Sequence, residues 1–234
     1  DPAEYQPWLD LGVIRLTTVA PEFAPNRRFI ADCAARGVTV SLGHTQATYE
    51  QALEAVALGA RHATHTFNAM TGVHHRKPGV VGAALTEKRI TCELIADTIH
   101  VHPAVMNLIA LAKEQGGVAL ITDAIQGAGM PDGVYDLGGQ PVYVKGDRAT
   151  LEDGTLAGSI LTYDQGLRNM IAATGWPLER IWRMTSFVPA RQIGLGHSKG
   201  ALRTGHDADL TVLGADLRVQ HTIVGGSVVY TNEG

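Results

Sequence analysis

The feature that most constrains the fold is a regular alternation between short β-branched stretches and stretches whose apolar residues recur at helical spacing. This alternation is typical of parallel strands that are connected and covered by helices. Asn26 and Thr48 are the expected N-caps of the first two helices, and Pro103 lies in the first turn of the third. The predicted strands cover residues 12–22, 38–44, 63–67, 89–97 and 117–124, and the predicted helices cover residues 26–37, 48–60 and 102–115.

The number and order of these strands favour part of a closed barrel. About five strands can be counted up to Ala124, whereas a (β/α)₈ barrel has eight. A doubly wound open sheet is the structural alternative, but no glycine-rich phosphate loop follows any predicted strand. The predicted fold class is therefore α/β, a (β/α)₈ TIM barrel represented by about its last five strands, with part of a small β-sandwich subdomain.

The alternation stops after Ala124. Residues 134–158 resemble a hairpin-like excursion, and two helical stretches follow at residues 161–175 and 177–194. From Ala201 onward, alternating strands with turn residues are typical of a small β subdomain. The predicted domains are residues 1–198, a portion of a barrel, and residues 199–234, the strands of the small subdomain.

Composition narrows the class of protein. The formal net charge of −4 and the pI near 6.2 argue against a nucleic-acid partner. No run of eighteen apolar residues is present, so no membrane span is expected. Cys33 and Cys92 have neither metal-knuckle spacing nor the density of a disulfide scaffold, which indicates a reducing, cytoplasmic location. The opening DPAEYQPW has no initiator methionine and no signal segment, and we interpret it as the interior of a longer protein.

Three side chains that can carry chemistry stand at predicted strand ends. His44 and His65 close neighbouring strands, and Asp123 closes a later one. Strand ends of a parallel barrel converge on one face, where two imidazoles can bind one divalent metal and a carboxylate can ligate it or take a proton from water. The simpler alternatives are that a strand-end histidine is a hydrogen-bonded structural residue and that the aspartate caps the next helix.

The remaining histidines divide by position. His62 lies three residues before His65, so strand alternation turns it to the other face and we interpret it as structural. His102 is expected to open a helix, and His100 either faces the pocket or does not. The exposed-looking loop TGVHHRKPG carries Arg76 and Lys77, which suit an anionic substrate, although a solvated turn is an equal alternative.

With these residues laid out, the sequence resembles the N-acetylglucosamine-6-phosphate deacetylases of the metal-dependent amidohydrolase superfamily. The likeness runs through most of the chain. It depends on the stretches LGHTQAT, ATHTFNAM, HHRKPG, IADTIHVHP, ITDA, GTLAGSILT and the tail from ADLTVLG onward. The combination is specific, whereas any one stretch alone is weak.

The resemblance implies a role for each matching residue. It implies that His44 and His65 bind the metal and that Asp123 acts as catalytic acid and base. It also implies a homodimer, because an arginine at the position of Arg76 reaches into the neighbouring subunit's site. The implied substrate-binding residues are Asn68, Ala69, Arg76, Asp97, Thr98, Ile99, His100, Leu156, Ala157 and Gly158. The implied substrate is a phosphorylated amino sugar, and the implied cofactor is zinc, iron, manganese or cobalt.

The chain departs from the family pattern in three places. Lys77 replaces a frequent glutamate, Thr98 replaces a usual glycine, and the HLEGP-like stretch that carries a metal-binding glutamate is absent. Residues 12–22 resemble the fourth barrel strand, so the first three strands are expected to precede this chain. The alternatives are a related amidohydrolase acting on another N-acyl or cyclic amide, and a non-catalytic remnant or assembly partner.

Overall fold

A computed structural model describes residues 1–232, apart from the side chain of residue 115. Its centre is a five-stranded parallel sheet with the order β1-β2-β3-β4-β5, so neighbours in sequence are neighbours in space. The strands are β1 Leu16–Val19, β2 Thr39–Leu42, β3 His62–Ala63, β4 Thr91–Ile95 and β5 Val118–Ile121. The connecting helices are α2 Ala24–Ala35, α3 Tyr49–Leu58, α4 Gly79–Thr86 and α5 Pro103–Lys113. The predicted parallel α/β arrangement is confirmed.

Two helices of this part of the chain were not predicted. The first, α1, covers Pro2–Asp10 and has Asp1 as its N-cap, with the Asp1 carboxylate accepting a hydrogen bond from the Ala3 N–H at 2.9 Å. The second, α4, is almost wholly apolar and buried. A helix without a polar face has no 3.6-residue periodicity to reveal it.

The capping predictions had opposite outcomes. Thr48 forms a capping box, because its hydroxyl accepts from the Gln51 N–H and the Gln51 side chain accepts from the Thr48 N–H. Asn26 is not an N-cap: α2 begins at Ala24, and the Asn26 amide donates to the Ala20 carbonyl at 2.8 Å. The proline at the second position of α2 fixes a helical φ and allows this earlier start.

The strand predicted over residues 63–67 was wrong in length. Pairing in β3 ends at Ala63, and residues from Thr64 to Phe67 form a turn in which the Asn68 N–H donates to the His65 carbonyl at 2.9 Å. His65 and Phe67 have φ values of 30° and 83°, which extended strands do not adopt. The turn is what carries His65 away from the sheet.

The core lies between the sheet and its helices. Strand residues that point away from the barrel interior, such as Val40, Leu42 and Leu94, are fully buried against helix residues such as Ile30 and Ile109. Each fully buried aliphatic side chain of this size contributes roughly 1.5–3 kcal/mol from the hydrophobic effect. The apolar residues from which the strands were predicted are therefore the ones that pack against the helices.

Both cysteines belong to this core. Cys33 and Cys92 are completely buried free thiols, and burial raises the pKa of each to about 11. Because the thiolate is the reactive form, we expect neither cysteine of the folded chain to react with a thiol reagent at pH 8. After unfolding in guanidinium, both should react, and fast labelling of either thiol in native protein would contradict this packing.

Two further sheets follow the parallel one. The predicted excursion is an antiparallel sheet of β6 Gly133–Leu137, β7 Gln140–Lys145 and β8 Arg148–Thr150, and the tail forms a second one from β9 Leu210–Leu213, β10 Val219–Val224 and β11 Ser227–Thr231. Between them lie α6 Tyr163–Thr174, α7 Leu178–Trp182, a π-helical turn Arg183–Phe187 and α8 Val188–Gln192. The domain boundary after residue 198 stays a prediction, and residues 233 and 234 of the predicted subdomain lie outside the described residues. No helix within residues 1–232 is long and apolar enough to cross a membrane.

Candidate active site

The candidate site lies at the carboxyl ends of the parallel strands. His44, His65, Asp97 and Asp123 each stand two residues beyond the last residue of their strand. The register pairs Leu42 of β2 with Ala63 of β3, so His44 and His65 leave the sheet at the same height. Ile95 pairs with Ile121 in the same way, which aligns Asp97 with Asp123. Parallel register thus produces the convergence that the sequence predicted.

The two strand-end histidines meet directly. Their Nε2 atoms lie 2.9 Å apart, and their rings are nearly perpendicular, with an interplanar angle of 78°. His65 is buried, whereas His44 is exposed, so solvent reaches the pair from the side of His44. The His65 Nδ1 atom is buried without a hydrogen-bond partner.

Unusual backbone conformations concentrate around these residues. His44, His65, Ala69, Thr98 and Asp123 all have φ between 30° and 69°. Non-glycine residues are uncommon in this region because Cβ approaches the carbonyl oxygen, and the strain costs roughly 1–3 kcal/mol for each residue. Five such residues lie at one end of one sheet. The fold therefore keeps a strained backbone there, and this backbone fixes the directions of the five side chains.

Gly43 shows how closely the strands approach below the histidines. A Cβ on Gly43 would lie 2.7 Å from the Thr64 Cβ and 2.8 Å from the Thr18 Cγ2. The Thr64 hydroxyl hydrogen-bonds to both Thr18 and Ser41, at 2.9 and 2.6 Å. Only glycine leaves room for this hydroxyl chain beneath His44.

The strand-end residues His44, His65 and Asp123 line one pocket of about 700 Å³. Its lining combines titratable side chains with small and apolar groups. The lining residues that the sequence predicted are His44, His65, Asn68, Ala69, His100, Asp123, Leu156, Ala157 and Gly158. A pocket of this size accommodates a monosaccharide derivative or a molecule of similar volume.

Four lining residues were missed: Ala124, Ile125, Leu137 and Thr155. Ala124 and Ile125 directly follow the predicted Asp123, so their position in the chain was a usable signal. Leu137 comes from the distant β6–β7 hairpin, whose Gly138–Gly139 turn has φ values of 61° and 88°. Its contribution depends on how the hairpin packs on the barrel, which no local sequence pattern contains.

His100 is held in the pocket by Asp97. The His100 Nδ1 lies 2.6 Å from one Asp97 carboxylate oxygen, and the other accepts from the N–H groups of Ile99 and His100 at 2.9 and 2.8 Å. Both side chains are more than nine-tenths buried. Burial alone raises the pKa of Asp97, but the hydrogen bonds from His100 and Ile99 outweigh burial, so the pKa lies below its usual value.

This pair predicts a pH-dependent contribution to stability. Because the pKa of Asp97 is lower in the folded than in the unfolded chain, its contribution is present above the unfolded value of 3.8 and is lost as the pH falls through the folded pKa. Asp97→Asn should therefore lower the free energy of unfolding at pH 7, by roughly 1–3 kcal/mol. The difference from the unsubstituted chain should narrow below about pH 4, as measured by urea unfolding.

An exposed carboxylate provides the comparison for this prediction. Asp147 forms a long ion pair with Arg148, at 3.8 Å, and its side chain is 81% exposed. Asp147→Asn should leave the free energy of unfolding nearly unchanged throughout the same pH series. A loss in Asp97→Asn that stayed constant down to pH 3 would contradict the role of the Asp97 charge.

Four predicted binding residues do not line the pocket: Arg76, Asp97, Thr98 and Ile99. Thr98 and Ile99 form the turn between Asp97 and His100. Arg76 is exposed, in a loop stretch, residues 72–77, that is exposed throughout, and its guanidinium lies 2.7 Å from the His75 ring. The Arg76 side chain is therefore accessible to solvent, although its guanidinium contacts a neighbouring ring.

The two imidazoles suit a shared divalent ion. Ring nitrogens that bind one tetrahedral metal at ~2.0–2.1 Å lie about 3.3 Å apart. The His44 and His65 Nε2 atoms, at the hydrogen-bonding distance of 2.9 Å, would need to separate by only a few tenths of an ångström to share an ion. Within residues 1–232, no cluster of three or more histidine, cysteine, aspartate or glutamate side chains is arranged to hold a metal. The pair therefore offers two ligands, and other positions around an ion are left to water or to groups beyond these residues.

The fold and the site together place this chain in a known class. The model of the amidohydrolase family matches residues 12–229, and the chain belongs to that family. Its fold is the amidohydrolase-type TIM barrel, represented here by five parallel strands, with antiparallel sheets beside it.

Individual relatives agree with the resemblance drawn from the motifs. The N-acetylglucosamine-6-phosphate deacetylase of Lysinibacillus sphaericus is 44% identical over 220 residues, which are 94% of this chain and 57% of the relative. The N-acetylgalactosamine-6-phosphate deacetylase of Escherichia coli O157:H7 is 44% identical over 217 residues, 92% of this chain and 57% of the relative. This chain thus spans little more than half the length of these relatives.

One solved structure shows the same agreement in three dimensions. An aspartate-to-alanine mutant of the N-acetyl-D-glucosamine-6-phosphate deacetylase of Mycobacterium smegmatis, in complex with N-acetyl-D-glucosamine 6-phosphate, superposes with a TM-score of 0.95. The two sequences are 38% identical, and the match covers 99% of this chain and 62% of the other.

Proposed function

We propose that this chain carries the catalytic face of a metal-dependent deacetylase that hydrolyses N-acetylglucosamine 6-phosphate to glucosamine 6-phosphate and acetate. The observation that carries the proposal is the meeting of the His44 and His65 imidazoles, 2.9 Å apart, in a pocket shared with Asp123. Relatives named for this reaction align over more than nine-tenths of the chain.

His44 and His65 are the residues proposed to hold the metal, which is zinc, iron, manganese or cobalt. The chemistry supplied by such an ion is polarisation of the acetamide carbonyl and acidification of water. The strained backbone of both histidines serves to aim their Nε2 atoms at one point.

Asp123 is the proposed proton carrier. Its carboxylate accepts a proton from the attacking water as the water oxygen bonds to the acetyl carbon. The same proton is then delivered to the sugar nitrogen as the carbon–nitrogen bond breaks, which releases the amine and acetate. Gly158 packs closely against the backbone of Asp123. Its φ is 74°, and a Cβ added to Gly158 would lie only 3.0 Å from the Asp123 carbonyl oxygen.

The remaining pocket residues are proposed to orient the sugar. His100, fixed by Asp97, either stabilises the developing oxyanion or hydrogen-bonds to a sugar hydroxyl. Asn68 and Ala69 offer amide and main-chain donors, and Leu156, Ala157 and Gly158 close over the acetamido group. Binding energy from these distant contacts orients the scissile amide.

Arg76 is proposed to bind the substrate phosphate of a neighbouring subunit, which makes the active assembly a homodimer. Its exposed loop position supports this role, since a guanidinium directed to solvent can pair with phosphate through two donors. We also propose a cytoplasmic location, with two buried free thiols in its support.

The phosphate contact gives a specific kinetic prediction. Arg76→Ala should raise the KM for N-acetylglucosamine 6-phosphate by roughly 10-fold or more while kcat changes little, because phosphate binding is common to ground and transition states. Lys77→Ala removes the adjacent exposed charge and should have a much smaller effect. Equal losses with uncharged N-acetylglucosamine would contradict a phosphate-binding role.

A second substrate is favoured by one observation. The relative named for N-acetylgalactosamine 6-phosphate is as similar, at 44% identity, as the one named for the glucosamine compound. The two sugars differ only in the orientation of the 4-hydroxyl.

A non-catalytic assembly partner is the alternative of another class, and the absence of a three-ligand metal cluster within residues 1–232 favours it.

Acetate release tests these possibilities together. The chain, loaded with each candidate metal, is incubated with N-acetylglucosamine 6-phosphate, N-acetylgalactosamine 6-phosphate or N-acetylglucosamine. Each assay is repeated with the co-expressed upstream segment of the Lysinibacillus sphaericus relative. We expect little turnover by the chain alone and phosphate-dependent turnover by the pair. Failure of both preparations on every substrate would favour the assembly partner.

A further inference from the structure

A buried polar pair lies in the sheet interior directly beneath His65. His62 on β3 and Glu93 on β4 are 2% and 9% exposed. The His62 Nδ1 lies 3.1 Å from one Glu93 carboxylate oxygen, and the other accepts from the His65 N–H at 3.4 Å. The Glu93 main chain contacts the same turn, because its carbonyl accepts from the Thr66 N–H at 2.8 Å.

This arrangement is costly for a barrel interior. Interior positions of such barrels are mostly filled by branched apolar side chains, and burying a carboxylate costs several kcal/mol unless it is fully hydrogen-bonded. Glu93 nevertheless occupies the centre of β4, where its two oxygens divide between an imidazole and a backbone N–H. One of these partners belongs to the residue whose φ is 30°.

We infer that Glu93 is a positioning residue for the metal-binding imidazole of His65. Its carboxylate holds the His65 N–H, and its carbonyl holds the next N–H, so the turn after β3 stays in the left-handed conformation. That conformation directs the His65 Nε2 toward His44. His62 fixes the other carboxylate oxygen, so the imidazole that the sequence indicated as structural orients Glu93.

The inference rests on the proposed function, in which His44 and His65 bind a divalent ion. Groups that orient a metal ligand typically change metal affinity by about 10–100-fold when they are removed. A pair that only fills the interior would instead change stability without a specific effect on the metal. Metal affinity and local backbone protection therefore separate the two roles.

The test compares four forms of the whole chain with Co²⁺ as the probe, followed by calorimetry and by the visible spectrum of the ion. Glu93→Leu keeps the size of the side chain and removes the acceptors. Glu93→Gln keeps an oxygen for the His65 N–H and offers an N–H to the His62 Nδ1. Thr91→Val is the matched control, since Thr91 is buried two residues earlier on β4 and hydrogen-bonds to Gln192, away from His65.

We expect Glu93→Leu to weaken Co²⁺ binding by about 10–100-fold, and Glu93→Gln to restore it to within ~3-fold of the unsubstituted chain. Thr91→Val should also stay within ~3-fold. An unchanged affinity in Glu93→Leu, or equal losses in Glu93→Leu and Thr91→Val, would overturn the inference. If Glu93→Leu does not fold, Glu93→Asp replaces it; a carboxylate one methylene shorter cannot reach both partners, so unchanged Co²⁺ affinity there would also overturn the inference.

Hydrogen exchange of the His65 amide gives an independent measurement without metal. We expect exchange to be faster in Glu93→Leu by roughly 10-fold or more, and unchanged in Thr91→Val. If neither the unsubstituted chain nor the chain with the co-expressed upstream segment binds Co²⁺, the metal proposal fails, and the exchange rate of the His65 amide alone decides whether Glu93 stabilises the turn. Equal exchange rates in all forms would show that it does not.

Discussion

Replacing Asp123 with asparagine is expected to lower acetate release from N-acetylglucosamine 6-phosphate by about 10²–10⁴-fold, the usual contribution of a positioned acid–base group. Asparagine has nearly the same shape, so the pocket of about 700 Å³ should persist. It cannot accept the proton of water and return it to the sugar nitrogen. The measurement is kcat in whichever preparation, the chain alone or the chain with the upstream segment, turns over.

A charge-matched control separates proton transfer from general electrostatics. Glu152→Gln removes one negative charge from an exposed position in the segment that leads to Leu156, Ala157 and Gly158, and kcat should change less than ~3-fold. Affinity for Co²⁺ should be nearly the same in Asp123→Asn as in the unsubstituted chain. A parallel loss of metal would instead assign Asp123 to the metal, and an unchanged kcat would exclude it from the reaction.

The alternation between β-branched stretches and stretches with helical apolar spacing was enough to predict the parallel sheet. The spacing of apolar residues indicates which faces of the strands and helices are buried. It was also enough to place His44, His65 and Asp123 together, since parallel strands in register end at the same edge. Other residues that line the pocket were harder to predict. Leu137 reaches the pocket from a separate hairpin, a contact that depends on tertiary packing alone.

The turn after β3 shows why the detail of the site escaped prediction. The sequence HATHTF has the composition of a strand, and local propensity favours extended backbone there. The structure instead ends pairing at Ala63 and places His65 in the left-handed region. Asn68 donates local hydrogen bonds to the His65 carbonyl, but the turn is also stabilised by Glu93, which lies 28 residues later and outside any local sequence window.

Loss of either strand-end imidazole is expected to abolish tight metal binding. In the preparation that binds Co²⁺, His65→Ala and His44→Ala should each weaken Co²⁺ affinity by at least ~100-fold, because each removes one of the two imidazole nitrogens that lie 2.9 Å apart. The His65 ring hydrogen-bonds to His44, and its Nδ1 is buried without a partner among the described residues, so His65→Ala should change the free energy of unfolding without metal by less than about 2 kcal/mol. Calorimetric titration of the metal-free chain measures the first quantity, and urea unfolding measures the second.

The exposed loop offers the control for adventitious binding. His74 and His75 have ring centroids 4.2 Å apart and can attract Co²⁺ at the surface. His75→Ala should leave the tight site intact and remove at most a weak additional one. If His75→Ala abolished tight binding while His44→Ala and His65→Ala retained it, the ion would lie outside the pocket. The hydrolase proposal would then lose its metal, because Asp123 and His100 alone provide no group that polarises the acetamide carbonyl as strongly.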